Sequence, residues 1–210
     1  FGGIPLRNTQ MAYGGITEHQ SKSGLERANA NGVKFINLSP QKKDMPEKVN
    51  GEWISLRPGT DTAVMLGIAH VLEKEGLVDS EFLASHTVGY DRFRRYLLGE
   101  EDGIAKDATW ASEISSLPAS MITSLARKMA TKRTFISLAW SLQRADHGEQ
   151  PYWMAVTLAC MLGTVGRPGG GFGFGYGAEG YIGSDWRRFN WANFPKSYNP
   201  TRFAIPVSRI

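Results

Sequence analysis

Hydrophobic residues recur along this chain with two spacings that alternate from segment to segment. Short β-branched and aromatic runs at 33–39 and 134–139 predict buried strands, and residues 53–56 predict a shorter extended piece. Between these runs, apolar residues recur at every third or fourth position, which predicts helices with one buried face. The predicted helices span residues 17–31, 60–75, 79–86, 91–98, 109–115, 118–132 and 148–162. Strands that alternate with helices indicate an α/β fold, with a Rossmann-like parallel sheet and flanking helices.

Two of the predicted helices have clear boundary signals. Thr60 or Asp61 can cap the first turn of the second helix, and Gly76 can end it. Pro118 is expected in the first turn of its own helix. Backbone N–H groups in the first turn have no acceptor within the helix, so the N–H that proline lacks costs no hydrogen bond there.

Residues 135–177 carry the most functional information. A short apolar strand leads to Trp140 and Arg144, an almost wholly apolar helix follows, and six glycines lie between residues 166 and 175. This order is typical of a site that presents backbone amides and a guanidinium to a phosphate-bearing ligand. On glycine content alone, a surface loop after a core helix is the simpler interpretation. Trp140 could likewise plug the end of the sheet, and Arg144 could pair with a nearby carboxylate (Asp146 or Glu149).

Three earlier segments lie where a parallel sheet binds ligands, beyond the carboxyl ends of its strands. Residues 1–8 combine two glycines with an arginine and an asparagine, and residues 37–41 end the clearest strand. Residues 59–61 begin a helix whose free amides and carboxylate can hold a phosphate or the edge of a guanine. Each segment alone fits ordinary strand-end or capping chemistry, but together they predict a nucleotide site.

Composition narrows the class of protein further. The net charge of +4 comes from scattered basic residues without a nucleic-acid motif, so no nucleic-acid partner is expected. The single Cys160 excludes an internal disulfide and a cysteine cluster, and its apolar helix predicts an inert thiol. The four histidines lack a metal-binding spacing. No run of 18 apolar residues is present, so no membrane span is predicted.

Several motifs together resemble one known family. They are FGGIPLRNTQ at residues 1–10, FINLSPQ at 35–41, RPGTDTAVMLGIAH at 57–70 and LAWSLQRADHGEQPYW at 138–153, followed by RPGGGFG at 167–173. They resemble the dimethyl sulfoxide reductase family of bis(molybdopterin guanine dinucleotide) enzymes, and within it the trimethylamine-N-oxide and biotin sulfoxide reductase branch. The resemblance covers essentially the whole chain, as an internal part of a longer protein.

The resemblance implies two pterin dinucleotides and molybdenum, with the protein ligand to the metal upstream of Phe1. Phe1 stands where the family usually has tryptophan, and Ser39 stands where it usually has aspartate, which weakens a ribose contact there. Trp140 and Arg144 are implied to line the cofactor and the metal funnel, with a supporting role in catalysis. The cofactor-binding residues carried over are Phe1, Gly2, Gly3, Ile4, Pro5, Leu6, Arg7, Asn8, Asn37, Ser39, Pro40, Gln41, Gly59, Thr60, Asp61, Trp140, Ser141 and Arg144.

The implied activity is reduction of a small S- or N-oxide by oxygen-atom transfer at molybdenum. The implied partners are the remaining domains of the parent chain and a cytochrome c-type or other electron donor. The expected compartment is the periplasm, with the cytoplasm as the alternative. Residues 1–165 are expected to form the dinucleotide-binding domain, and residues 166–210 an extended segment that crosses to a neighbouring domain. This part alone is expected to be inactive.

Three alternatives remain open at this point. The cofactor frame also fits formate dehydrogenases, nitrate reductases and hydroxylases, which differ in the metal ligand. The GFGFGYG run at residues 171–177 superficially suggests a nicotinamide dehydrogenase, but its glycines follow a helix, whereas that fingerprint follows a strand. A non-catalytic binding module is the third alternative.

Overall fold

A computed structural model describes residues 1–3 and 20–175 of the protein, without the side chains of residues 20 and 21. In chain order its helices and strands are α1 (Gln20–Ala30), β1 (Phe35–Leu38), β2 (Gly51–Ile54), α2 (Asp61–Lys74), α3 (Ser80–His86), α4 (Tyr90–Leu97), α5 (Ala108–Ser115), α6 (Ala119–Thr131), β3 (Phe135–Leu138), α7 (Gln150–Met161) and β4 (Gly171–Phe174). From α1 to α7, the helices and strands of this part follow one another in the order that the sequence predicts. Two 3₁₀ turns, Lys42–Asp44 and Trp140–Arg144, follow β1 and β3.

The strands form two parallel pairs. The first two residues of the chain join one pair to the other. Strand β1 pairs with β2, and β3 pairs with β4. The Phe1 nitrogen donates to the Ser137 carbonyl at 2.7 Å, and the Phe1 carbonyl accepts from the Ala139 N–H at 2.9 Å. On the other side, the Gly2 N–H donates to the Leu38 carbonyl at 2.8 Å. Residues 1–2 therefore lie between β1 and β3, and all strand ends face the same edge.

Helix α2 lies at the centre of the core and packs against α5, α6 and α7. Its residues from Val64 to Leu72 are almost all buried, because neighbours cover it on several sides. Gly67 allows α5 to approach closely, since a Cβ there would lie 2.7 Å from the Ala111 Cβ. This packing fixes the start of α2 at the ligand-facing edge of the sheet.

Most predicted elements are found within three residues of their predicted bounds. The extended piece predicted at 53–56 is instead strand β2 at Gly51–Ile54. Pro118 is the N-cap of α6 and not a first-turn residue, because its ψ of 134° is extended. Strand β4, which the sequence pattern did not indicate, continues the sheet beside β3. The division of the chain at residue 166 stays a prediction.

Candidate functional site

Two consecutive glycines mark the middle of the strand-end edge. Gly2 and Gly3 have φ angles of 79° and 76°, which side chains rarely adopt. A Cβ at Gly2 would lie 2.7 Å from the Ala139 Cβ, and one at Gly3 would lie 2.4 Å from the Asp44 Cβ. The glycines therefore bring the turn after β3 and the turn after β1 together at one place.

At the end of β1, two predicted site residues have different surroundings. Asn37 is only 4% exposed, and its Nδ2 has no hydrogen-bond partner within the described part of the chain. Ser39 is fully buried; its hydroxyl donates to the Asp44 carboxylate and accepts from the Gln41 N–H at 3.2 Å. Asn37 thus keeps an unused buried donor, whereas the Ser39 hydroxyl is engaged within the protein.

Asp44 is the acidic residue at this strand end, and the sequence pattern did not indicate it. It is half-buried, contacts Gly3 and accepts the Ser39 hydroxyl. It lies five residues beyond Ser39 in an aperiodic polar run, which gave no signal in the sequence. Pro40 and Gln41, which were predicted to contact the cofactor, are exposed between Ser39 and this turn.

The beginning of α2 presents open amides beside a buried carboxylate. The Thr60 hydroxyl donates to the Arg57 carbonyl at 2.6 Å and makes no capping bond to the helix. Gly59 has open space around its Cβ position within the described part of the chain. Asp61 is only 5% exposed, and this burial raises the pKa of its carboxyl. The helix start therefore offers N–H donors and one strong acceptor.

The turn after β3 carries Trp140, Ser141 and Arg144. The Trp140 side chain is 39% exposed, and its ring centre lies 5.3 Å from that of Phe174 at the end of β4. Ser141 and Arg144 are exposed, and Arg144 forms no ion pair or side-chain hydrogen bond with any described residue. The nearby carboxylates (Asp146 and Glu149) lie instead beside His147, at 3.9 and 4.0 Å. The alternative in which one of them occupies Arg144 is therefore not formed here.

Five predicted site residues fall outside the described residues: Ile4, Pro5, Leu6, Arg7 and Asn8. Among the residues that are described, no group of three or more metal-ligating side chains could hold a metal ion. The same part of the chain contains no helix long and apolar enough to cross a membrane. A groove of about 280 Å³ between β2 and α6 includes none of the predicted site residues. It is lined by Glu52, Ile54, Pro118, Ser120, Met121, Ser124, Leu125 and Lys128.

Cys160 lies on α7, and its surroundings favour an unreactive thiol. It is partly buried, and burial raises the pKa of its thiol, which disfavours the reactive thiolate. We expect Cys160→Ser in the full-length protein to lower the free energy of unfolding by about 1 kcal/mol, because a hydroxyl replaces the thiol in apolar surroundings. Urea unfolding and molybdenum analysis check this, and a folded variant that has lost its molybdenum would contradict it.

Comparison with known proteins shows to which protein family the chain belongs. The Molybdopterin oxidoreductase family profile matches residues 7–196 of this chain. The chain therefore belongs to the molybdopterin oxidoreductase family, whose cofactor contains molybdenum and molybdopterin.

Its relatives include several named oxide reductases. The chain is 44% identical over 210 residues to biotin sulfoxide reductase of Cereibacter sphaeroides, which covers 100% of this chain and 28% of that protein. It is 46% identical over 176 residues to dimethyl sulfoxide/trimethylamine N-oxide reductase of Rhodobacter capsulatus, covering 84% of this chain and 21% of that protein. The trimethylamine-N-oxide reductase of Haemophilus influenzae is 44% identical over 172 residues, covering 82% and 21%. The chain thus spans between about a fifth and 28% of these relatives.

A solved structure confirms the fold class. Acetylene hydratase from Pelobacter acetylenicus superposes with a TM-score of 0.58 at 23% identity, over 69% of this chain and 19% of the hydratase. At that identity the match speaks for the fold alone. It agrees with the predicted α/β architecture and with the parallel strand pairs described above.

Proposed function

We propose that the full-length protein binds bis(molybdopterin guanine dinucleotide) and reduces small S- or N-oxides by oxygen-atom transfer at molybdenum. The relatives named as sulfoxide and N-oxide reductases support this activity. The observation within this chain that carries the proposal is the Arg144 guanidinium, which has no ion pair or side-chain hydrogen bond among the described residues. It lies at the same sheet edge as the buried Asp61 carboxylate and the unused Asn37 donor.

The residues present fit an anionic, hydrogen-bonding dinucleotide. The Asn37 Nδ2 is buried and lacks a partner in the described part, and such a group costs free energy unless a ligand satisfies it. The Asp61 carboxylate can accept the N1–H and N2–H groups of a guanine, and the amides at the start of α2 can bind phosphate oxygens. The Asp44 carboxylate, which already accepts the Ser39 hydroxyl, can accept a ribose hydroxyl as well.

The turn after β3 suits the pterin part of the ligand. A planar guanidinium such as that of Arg144 binds phosphate or pterin oxygens in a bidentate manner, and the half-exposed Trp140 ring can pack on a flat pterin. When bound, the molybdenum cofactor supplies the two-electron oxygen-atom chemistry. The residues of this chain hold the cofactor, orient it and shield one side of it from water.

The remaining parts of the proposal concern the parent protein. Its other domains provide the metal ligand, upstream of Phe1, and the rest of the substrate funnel. A cytochrome c-type or other donor supplies the electrons. The protein acts in the periplasm, with the cytoplasm as the alternative, and takes part in anaerobic respiration. An assay of the purified full-length protein with reduced viologen tests the activity. Turnover of trimethylamine-N-oxide, dimethyl sulfoxide or biotin sulfoxide supports it, whereas turnover of nitrate or formate alone rejects it.

Arg144→Lys tests whether the guanidinium binds the cofactor. Lysine keeps the charge but cannot form the bidentate pair, so we expect the full-length variant to lose molybdenum about tenfold faster on dialysis. Arg127→Lys is the matched control, because Arg127 pairs in the same bidentate way with Glu75 on the helical side. Equal molybdenum retention in the two folded variants would contradict the assignment.

A further inference from the structure

Tyr152, which no sequence motif marks as a site residue, contacts the turn after β3. The Tyr152 hydroxyl, in the first turn of α7, lies 2.8 Å from the Ala139 carbonyl and 3.0 Å from the Trp140 carbonyl. A phenol has one proton to donate, so these two contacts form one bifurcated hydrogen bond. Both carbonyls belong to the peptide units at the start of the turn that carries Trp140 and Arg144. The hydroxyl therefore holds the backbone from which these two side chains project.

The ring of Tyr152 supports the same turn. It meets the Phe174 ring in an edge-to-face arrangement, with centres 5.6 Å apart and planes at 80°. Phe174 in turn packs against the Trp140 ring. Burial raises the pKa of the Tyr152 phenol, and the charge of Asp61 adds to that shift, so the hydroxyl keeps its proton at neutral pH. Tyr152 thus contacts both β4 and the turn after β3.

We infer that Tyr152 is a positioning residue for the cofactor site, which fixes the Trp140–Arg144 turn through its bifurcated hydrogen bond and through Phe174. It acts through the turn and not by touching the cofactor. This inference rests on the proposed function, because it assigns Trp140 and Arg144 to cofactor binding. It explains why a ring with a polar hydroxyl occupies a half-buried position in the largely apolar helix α7.

Tyr152→Phe in the full-length protein tests the hydroxyl directly. The ring and its packing remain, but the Ala139 and Trp140 carbonyls lose the phenol as a donor, so the turn is expected to sample other positions. We expect molybdenum to be lost about three- to tenfold faster on timed dialysis, measured as metal per chain. Tyr90→Phe is the matched control, since the Tyr90 hydroxyl is also half-buried and donates to Glu73 at 2.6 Å, between α4 and α2. That control is expected to unfold more easily while it retains molybdenum normally.

A double-mutant cycle separates positioning from general stability. If Tyr152 acts through the turn, Tyr152→Phe combined with Arg144→Lys accelerates molybdenum loss by less than the product of the two separate effects. A combined effect equal to that product overturns the inference, as does loss of molybdenum in Tyr90→Phe at the same rate.

The outcomes also distinguish this inference from the proposed function. Normal retention in Tyr152→Phe alongside rapid loss in Arg144→Lys overturns the role of Tyr152 alone. A wild-type protein without molybdenum overturns the proposed function and this inference with it. Normal retention in Arg144→Lys overturns the assignment of Arg144 to the cofactor, and with it this inference. If Tyr152→Phe does not accumulate, Phe174→Leu removes the ring support and keeps the hydroxyl, and normal retention there overturns the inference.

Discussion

Gly3→Ala in the full-length protein is expected to lower the free energy of unfolding by about 2–4 kcal/mol. About 1 kcal/mol comes from placing a side chain at a φ angle of 76°. A further 1–3 kcal/mol, as an order of magnitude, comes from overpacking, because the new Cβ would lie 2.4 Å from the Asp44 Cβ. The Asp44 carbonyl oxygen lies 2.9 Å from the same position, so the turn itself must move.

Gly103→Ala is the control for the backbone term. Gly103 has nearly the same φ angle, 75°, and no described atom lies within 4 Å of its Cβ position. We expect this variant to lose only about 1 kcal/mol. Urea unfolding of both variants measures the difference, and equal losses would show that the contact between residue 3 and Asp44 is not tight. Because Asp44 holds the Ser39 hydroxyl, Gly3→Ala is also expected to weaken cofactor retention.

The helical layer was the most predictable part of the fold. Helix α2 has a strong apolar pattern, and Thr60 and Gly76 delimit it, so local signals agree with the packing. Strand β4 was missed because its sequence GFGF contains two glycines, which have no strand preference of their own. It is a strand because β3 beside it offers backbone partners in register, from Phe135 opposite Gly171 onward. Pairing of this kind depends on tertiary structure and leaves no periodic trace.

The candidate site was predictable in outline but not in its contacts. Strand ends and a helix start gave Asn37, Asp61 and Arg144, since those positions follow from the topology of a parallel sheet. Asp44 and Tyr152 reach the same edge from a 3₁₀ turn and from a different helix. Their roles depend on distances such as the 2.8 Å from the Tyr152 hydroxyl to the Ala139 carbonyl. Spacing along the chain cannot supply these distances.

Asp61→Asn is expected to change the empty and the loaded protein in opposite directions. Burial raises the folded-state pKa of Asp61 above its unfolded value, so the folded protein binds a proton more tightly than the unfolded chain. The carboxylate therefore destabilises the empty protein at neutral pH, and this cost disappears as the pH falls below the unfolded pKa of about 3.9. The neutral asparagine removes the cost, so the empty variant is expected to melt at the same or a higher temperature at pH 7.

The loaded protein should respond differently. A guanine edge donates two hydrogen bonds, and both oxygens of a carboxylate can accept them. The asparagine amide has only one acceptor oxygen, so it can satisfy only one of the two donors. We expect Asp61→Asn to weaken cofactor retention by about 1–3 kcal/mol, measured as molybdenum and guanine per chain after dialysis. Asp91→Asn is the matched control, since Asp91 lies in the first turn of α4 and is exposed, so it should change neither property much. If Asp61 had only a structural role, Asp61→Asn would lower the stability of the empty and the loaded protein alike and leave cofactor retention unchanged. An opposite response of the two forms identifies a carboxylate whose burial is unfavourable until a ligand occupies it.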